Sequence, residues 1–425
     1  MTHPPSLADI AAQLEAYDPL ALSANEVLNF LDHLVTPVHD SESVDILAAL
    51  GRVTAQDVIS PINVPPHDNS AMDGFAFDGG ELNDSQVLSL KVVGTALAGK
   101  AWEGHVNAGE CVKIMTGAIM PKGLNTVVPQ ELCQIKTSDA IEIPAGLLKA
   151  GDNRRLCGED IMQGQAALLK GALITPAAAG LLASLGVPNV LVVRRLRVAY
   201  FSTGDEILSL GEAPREGAVY DSNRYTVHGM LQALGCEVID MGVVKDEPVL
   251  LEKAFNHAAE RADAIITSGG VSVGEADFTK AMMKKLGDVV FWKIAMRPGR
   301  PMAVGRIQKG QRSAVLFGLP GNPVAVMVTF LAFVKPALLK MMGCTATPLP
   351  MLRAKTQEVL RKKPGRTEYQ RGIVSRNAQG ELQVITTGNQ GSGVLSSMVQ
   401  ANGLIVLSHQ QGTAQLGDWV DVLVL

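Results

Sequence analysis

The sequence predicts a multidomain α/β plus β fold: a split helical domain with a β-rich insertion, an α/β domain on a mostly parallel sheet, and a small β domain at the C-terminal end. Apolar residues at helical spacing flank a stretch of short, turn-broken apolar runs, which marks the insertion. Further on, strand-like and helix-like segments alternate from Arg197 to Met341, the rhythm of a parallel sheet with helices on both faces. A chain of 425 residues, 47% of them hydrophobic, is long enough for several cores.

Taken in order, Val27, Leu28, Phe30, Leu31 and Leu34 share one helical stripe, which starts at a cap on Ser23 or Asn25 and is expected to run towards Leu50. Residues 60–163 form the insertion, with strand-like runs at 87–93, 111–115 and 141–143. Residues 176–185, behind Thr175 and before Gly186, read as an Ala- and Leu-rich helix expected to pack beside the first one. Segments 1–59 and 164–193 thus make the helical domain and 194–343 the α/β domain, with strands at 198–201, 237–241 and 264–267 and helices at 223–234 and 248–260. Residues 344–425 carry five more strand-like runs, at 351–356, 370–374, 382–386, 403–407 and 419–424, and close the chain as a small barrel or sandwich.

A net charge of −5 excludes nucleic-acid binding through a broad basic surface. The five cysteines lie far apart without a Cys-x-x-Cys pair or a histidine at ligand spacing, so neither a zinc site nor a disulfide framework is expected, and reduced thiols are. The start, MTHPPSLADI, lacks a basic segment leading into an apolar one, and no uninterrupted apolar run is long enough to cross a bilayer. The expectation is a cytoplasmic protein with neither a membrane nor a nucleic acid as partner.

In an open parallel sheet, ligands bind beyond the carboxyl ends of the strands, where loops and helix N-termini converge. The segments there are 202–206, 245–247, 268–277, 297–301 and 319–323. The segment 268–274 combines Ser268, Gly269, Gly270 and Ser272, which offer close backbone approach and hydroxyl donors, the makings of a phosphate cradle. One Ser-Gly-Gly is ordinarily a turn; five such loops along one edge point to a site. Asp205, Glu206, Asp246, Glu247 and Asp277 are hard oxygen ligands without accompanying His or Cys, which suits Mg²⁺ better than zinc, although each alone would serve as a helix cap or a solvated charge. Lys293, Arg297 and Arg300 follow the run 289–292 in a turn braced by Pro298 and Pro301, a cluster suited to an oxyanion. Pro320 and Pro323 frame the last loop. In the insertion, 65–74, 115–118 and 154–160 are polar loops that carry no chemistry taken singly.

Together the stretches DNSAMDGFA (68–76), IMTGA (114–118), GEDI (158–161), FSTGDEI (201–207), YDSNR (220–224), SGGVSVGEADFTK (268–280), FWKIAMRPGRP (291–301), LPGNPVAV (319–326), KPGRTEYQRG (363–372) and TTGNQGSG (386–393) resemble the MoeA/gephyrin-E family of molybdopterin molybdenumtransferases, in order and spacing over nearly the whole chain. The resemblance implies a three-layer α/β domain and a C-terminal β-barrel. It implies insertion of molybdenum from molybdate into adenylylated molybdopterin with release of AMP, assisted by Mg²⁺, in a homodimer, with a molybdopterin adenylyltransferase as a candidate partner. Carried over residue by residue, it implies catalytic roles for Asp73, Thr116, Asp160 and Glu206. Glu206, Asp246 and Asp277 become metal ligands, and Arg155, Ser268, Gly269, Gly270, Ser272, Lys293, Arg297, Arg300, Pro320, Pro323 and Ser392 become substrate-binding residues. Arg297 and Arg300 stand in a turn that is Lys-Pro-Gly-Lys-like in relatives, so charge is kept while a point charge becomes a planar fork. The competing expectations are a molybdopterin adenylyltransferase, which the α/β domain alone would suit, and a gephyrin-like scaffold.

Overall fold

A capping box starts the helix Ala24–Leu34: Ser23 Oγ accepts from Glu26 N–H at 3.4 Å, and the Glu26 carboxylate accepts from Ser23 N–H at 2.6 Å. The computed structural model describes residues 6–14, 17–271, 278–346 and 351–425. The helix ends at Leu34 and not near Leu50, because Val35 is already extended and residues Ser41–Asp45 form a strand antiparallel to Asn189–Val193. A second capped helix, Leu7–Ala12, precedes it.

The helical stripe does not face the helix Pro176–Ser184. Val27, Phe30, Leu31 and Leu34, with Leu7 and Ile10, are buried in the core of the α/β domain, where Phe30 meets Trp292 edge-on at 4.9 Å and stacks with Tyr17 at 5.9 Å. Emptying the Phe30 position to Ala would cost about 3–5 kcal/mol. Pro176–Ser184, capped by Thr175 as the sequence indicates, packs instead with Ala49, Ile174, Val190 and Val192. The two helices expected to pack side by side therefore belong to different cores, while Val44, Ala49 and Val58 share one with Leu168, Ile174 and Val190, and the strand pair Ser41–Asp45 with Asn189–Val193 rejoins the interrupted chain.

The insertion is a six-stranded mixed sheet in the order Thr126–Pro129, Gly74–Phe77, Glu110–Ile114, Leu88–Ala96, Ala140–Ile143, Gln134–Thr137, with apolar clusters on both faces. The α/β domain also has six strands, in the order Glu237–Val244, Arg197–Thr203, Ala264–Ser268, Arg312–Leu319, Pro301–Lys309, Gly287–Lys293. The first four run parallel and the last two antiparallel. Near-continuous burial of Arg197–Thr203 and Ala264–Ser268 is what a sheet covered on both faces requires. The helical stretch Pro323–Met341 is apolar and long enough to cross a membrane by composition, yet 61% of it is buried inside the protein, in the α/β core.

In the C-terminal region five strands close into a barrel, because Thr367–Arg376 pairs with both Leu382–Thr386 and Gly403–Leu407. That closure decides for the barrel over the sandwich. The short strand Met296–Arg297 of the α/β domain adds to the barrel sheet in parallel, with Arg297 opposite Glu368. This pairing fixes the barrel against the carboxyl edge of the parallel sheet.

Candidate active site

The loops beyond the parallel strands and one loop of the barrel enclose a cleft of about 1470 Å³. Its floor is a buried hydroxyl network. Tyr200 Oη lies 2.8 Å from Ser202 Oγ and 2.7 Å from Ser268 Oγ, and Ser202 donates to Asp221 Oδ1 at 2.9 Å. Burial pushes the Tyr200 phenol up, so it stays a neutral donor at any physiological pH. Asp221 also caps the helix Ser222–Ala233 by accepting from Arg224 N–H, while its Oδ2 is buried without a partner, as is Asn223 Oδ1. Asn223 donates to the Gly321 carbonyl at 2.7 Å and so joins two loops of the cleft.

Gly269 and Gly270 have φ of +90° and +65°, and a Cβ on either would stand 2.4 Å from the Thr203 carbonyl oxygen or 2.5 Å from the Thr279 side chain. The Gly269 N–H donates to the Leu319 carbonyl. At Gly269 the glycine therefore serves close packing of neighbouring strand ends, and its amide is not a phosphate donor. Glu206 and Asp246 line the cleft beyond two neighbouring strands, Arg197–Thr203 and Glu237–Val244, and Asp246 Oδ1 accepts from the Thr279 hydroxyl at 3.0 Å. Ser272 and Asp277 lie outside the described residues, and among the described residues no three His, Cys, Asp or Glu side chains gather to hold a metal.

Arg297 and Arg300, both exposed, line the cleft at the other end of the sheet, and the barrel adds Arg366, Gln390 and Ser392. The carbonyl of Ser392 accepts from Val324 N–H at 3.1 Å, which ties the barrel loop to the first turn of the helix that follows Pro323. Beneath that loop the fully buried Arg371 donates to the carbonyls of Asn389 and Gly391 and to Ser397 Oγ. Burial, with Arg297 adding repulsion, lowers its pKa, although a guanidinium remains charged.

The cleft thus brings together Glu206, Asp246, Ser268, Gly269, Gly270, Arg297, Arg300, Pro320, Pro323 and Ser392. Lys293 is not among the residues lining it; it ends a strand, pairs with Pro301, and its N–H donates to the Pro19 carbonyl. Asp73, Thr116, Arg155 and Asp160 line no part of it either. They sit on converging loops of the inserted domain, where Asn69–Ser70 pairs with Arg154–Arg155 and Gly117 N–H donates to Ser70. Asp73 Oδ1 accepts from both the backbone N–H and the hydroxyl of Thr116, at 2.6 and 2.7 Å, and these bonds hold its carboxyl below the usual range. All four are exposed. Asp221, Asn223, Arg366, Arg371 and Gln390 were not identifiable as site residues from the sequence; YDSNR, KPGRTEYQRG and TTGNQGSG marked their segments without giving their roles.

Comparison with known proteins matches all three parts of the chain. Residues 22–186 match the MoeA N-terminal region (domain I and II), 199–340 a probable molybdopterin binding domain, and 353–425 the MoeA C-terminal region (domain IV). A molybdopterin molybdenumtransferase of Haemophilus influenzae is 42% identical over 92% of this chain and 95% of its own length. This chain belongs to the molybdopterin molybdenumtransferase family. A second member, from Bacillus subtilis, is 32% identical over 91% of this chain and 90% of its own. The gephyrin of Dictyostelium discoideum is 30% identical over 91% of this chain but only 60% of its own length. Among solved structures, the molybdopterin biosynthesis moeA protein of Pyrococcus horikoshii superposes with a TM-score of 0.79 at 26% identity, covering 95% of this chain and 100% of that one. The family assignment therefore extends through the insertion and the barrel, beyond the α/β domain that the adenylyltransferase reading relied on.

Proposed function

We propose that this chain is a molybdopterin molybdenumtransferase: it binds adenylylated molybdopterin and molybdate in the described cleft, transfers molybdenum to the dithiolene sulfurs and releases AMP. The observation that carries this reading is one cleft lined both by Glu206 and Asp246, which follow the strands at one end of the sheet, and by Arg297 and Arg300, which flank the antiparallel strands at the other end. Arg297 and Arg300 supply charge-assisted hydrogen bonds to tetrahedral oxyanions, and Ser268 adds a hydroxyl whose orientation Tyr200 sets. Holding oxyanion and pterin side by side gives the effective concentration that a bimolecular encounter in water lacks.

Glu206 and Asp246 are the described acids that would hold Mg²⁺, with Asp277 as a third expected ligand. Two carboxylates and the Thr279 hydroxyl suit a hard cation that keeps several waters. Bound there, the ion would neutralise charge on the nucleotide phosphate.

The inserted-domain residues Asp73, Thr116, Arg155 and Asp160 are exposed and lie off the cleft of their own chain, so we assign them to the cleft of a partner subunit in a homodimer. Because the substrate carries an adenylyl group, an adenylylating enzyme must supply it, and the reaction belongs to the cytoplasm where such intermediates are handed on. Mass spectrometry of the purified protein tests the reading. Bound pterin-AMP that disappears on adding molybdate and Mg²⁺ supports it; pterin-AMP that survives the addition contradicts it.

A further inference from the structure

The guanidinium of Arg371 is buried in the barrel, 1% exposed, and its partners are two carbonyls and a hydroxyl, none of them a carboxylate. Its Nη2 donates to the Asn389 carbonyl at 3.2 Å and the Gly391 carbonyl at 2.9 Å, and its Nε donates to Ser397 Oγ at 2.9 Å. An apolar residue of similar volume in place of a buried ionic group is often neutral or stabilising, so packing alone gives no reason for a cation here. The reason lies in what the fork holds. Gln390, in the loop 387–392, lines both the cleft and a second cavity of about 260 Å³, whose wall includes Arg371, Arg361 and Glu358. A loop with space on both sides is not placed by close packing, so its hydrogen bonds set its position.

The backbone of Arg371 holds the same loop. Its N–H donates to Gln390 Oε1 at 2.8 Å, and its carbonyl accepts from Gln390 Nε2 at 3.1 Å and from Thr387 N–H at 3.0 Å. In a trans peptide the C=O and the N–H point in opposite directions. The peptides 389–390 and 391–392 are trans and both turn their carbonyls to Arg371, so the N–H groups of Gln390 and Ser392 point away from it. Among the described hydrogen bonds neither N–H has an acceptor. Gln390, Gly391 and Ser392 line the cleft, whereas Arg371 does not.

We propose that Arg371 is a positioning residue for the reaction, which from behind the loop turns the N–H groups of Gln390 and Ser392 into the cleft as donors to the bound substrates. The inference deepens the function proposed above and rests on it. Donors fixed before the ligand arrives lose little freedom on binding, so more of each hydrogen bond appears as affinity.

The test follows molybdate-dependent AMP release by the full chain over a range of molybdate, beside calorimetric titration with AMP in Mg²⁺ and the melting temperature of each variant. Arg371→Met fills the space without charge or fork, while Arg371→Lys keeps the charge but reaches one carbonyl at a time. In Arg371→Met the half-saturating molybdate or the dissociation constant of AMP is expected to rise about 10–100-fold, the range for a hydrogen bond to a charged group. In Arg371→Lys the rise is smaller, and in both variants the rate at saturation stays at the wild-type value. Arg371→Lys should nevertheless melt lower than Arg371→Met, because it keeps a buried charge with fewer partners. A merely structural role would give the opposite order, with the less stable variant binding worse. Should Arg371→Met not fold, Arg371→Lys decides by its own rise at an unchanged rate. A wild type that releases AMP with molybdate, with every folded variant within two-fold of it for both ligands, overturns this inference alone, as does a loss that follows the melting temperatures. A wild type without molybdate-dependent release overturns the functional reading.

Discussion

Gly269→Ala tests whether the floor of the cleft is built by close approach of strand ends. Gly269 has φ of +90°, and an added Cβ would stand 2.4 Å from the Thr203 carbonyl oxygen and 3.1 Å from its hydroxyl. The left-handed backbone costs a non-glycine residue about 1–3 kcal/mol, and separating packed backbone about as much again, so roughly 2–6 kcal/mol is expected. For a domain of this size that lowers the melting midpoint by roughly 4–24 °C. The control is Gly321→Ala on the facing loop, whose added Cβ would meet nothing nearer than Gly269 Cα at 4.0 Å and whose φ is not left-handed. It should stay within about 0.5 kcal/mol of wild type. Calorimetry on the two variants and the parent makes the measurement. Equal melting of both variants would refute the close-approach argument.

Asp246→Asn should abolish Mg²⁺-dependent AMP release while melting like wild type, since the residue stands on a loop edge; full turnover at ordinary Mg²⁺ would remove it from the metal site. Asp73→Asn and Asp246→Asn, each inactive, should complement when refolded together. Random pairing leaves one intact site in half of the dimers, or about a quarter of wild-type activity, whereas mixed dimers without activity would mean a site built by one subunit. Burial pushes the thiols of Cys111 and Cys236 up from 9.0 to about 12. Their thiolate fractions at pH 8 then fall by about a thousand-fold, so a thiol reagent should label them only after denaturation. Labelling in the native protein would contradict that burial.

The parts of the fold legible in the sequence are those whose residues answer to one neighbouring layer. The strands Leu382–Thr386, Gly403–Leu407 and Trp419–Val424 lie where the apolar runs placed them, and Pro176–Ser184 starts at the Thr175 cap. Helical spacing at Val27, Phe30, Leu31 and Leu34 identified the buried face of Ala24–Leu34 but not its partner, because a stripe reports that something covers it and not what. The covering surface is Trp292 and the α/β core, hundreds of residues away. The extension towards Leu50 failed because Ser41–Asp45 is held as a strand by Asn189–Val193, a contact no local pattern encodes. At the site, the loop rule gathered Glu206, Asp246, Arg297, Arg300 and the Pro320–Pro323 turn, since chain connectivity alone brings strand ends to one edge. Arg366 escaped because its place in the cleft depends on the pairing of Thr367 and Glu368 with Met296 and Arg297. Lys293 had the right charge and the right neighbourhood, yet it ends a strand paired with Pro301 and lines no part of the cleft.

The central claim, that this cleft exchanges an adenylyl group for molybdenum, is tested most directly by AMP release. Purified protein loaded with adenylylated molybdopterin is mixed with Mg²⁺, with and without molybdate, and free AMP is quantified by chromatography over time. The account predicts AMP in proportion to loaded pterin only when molybdate is present, and its loss in Asp246→Asn. AMP release that is indifferent to molybdate, or no release with both ligands shown to be bound, would contradict it.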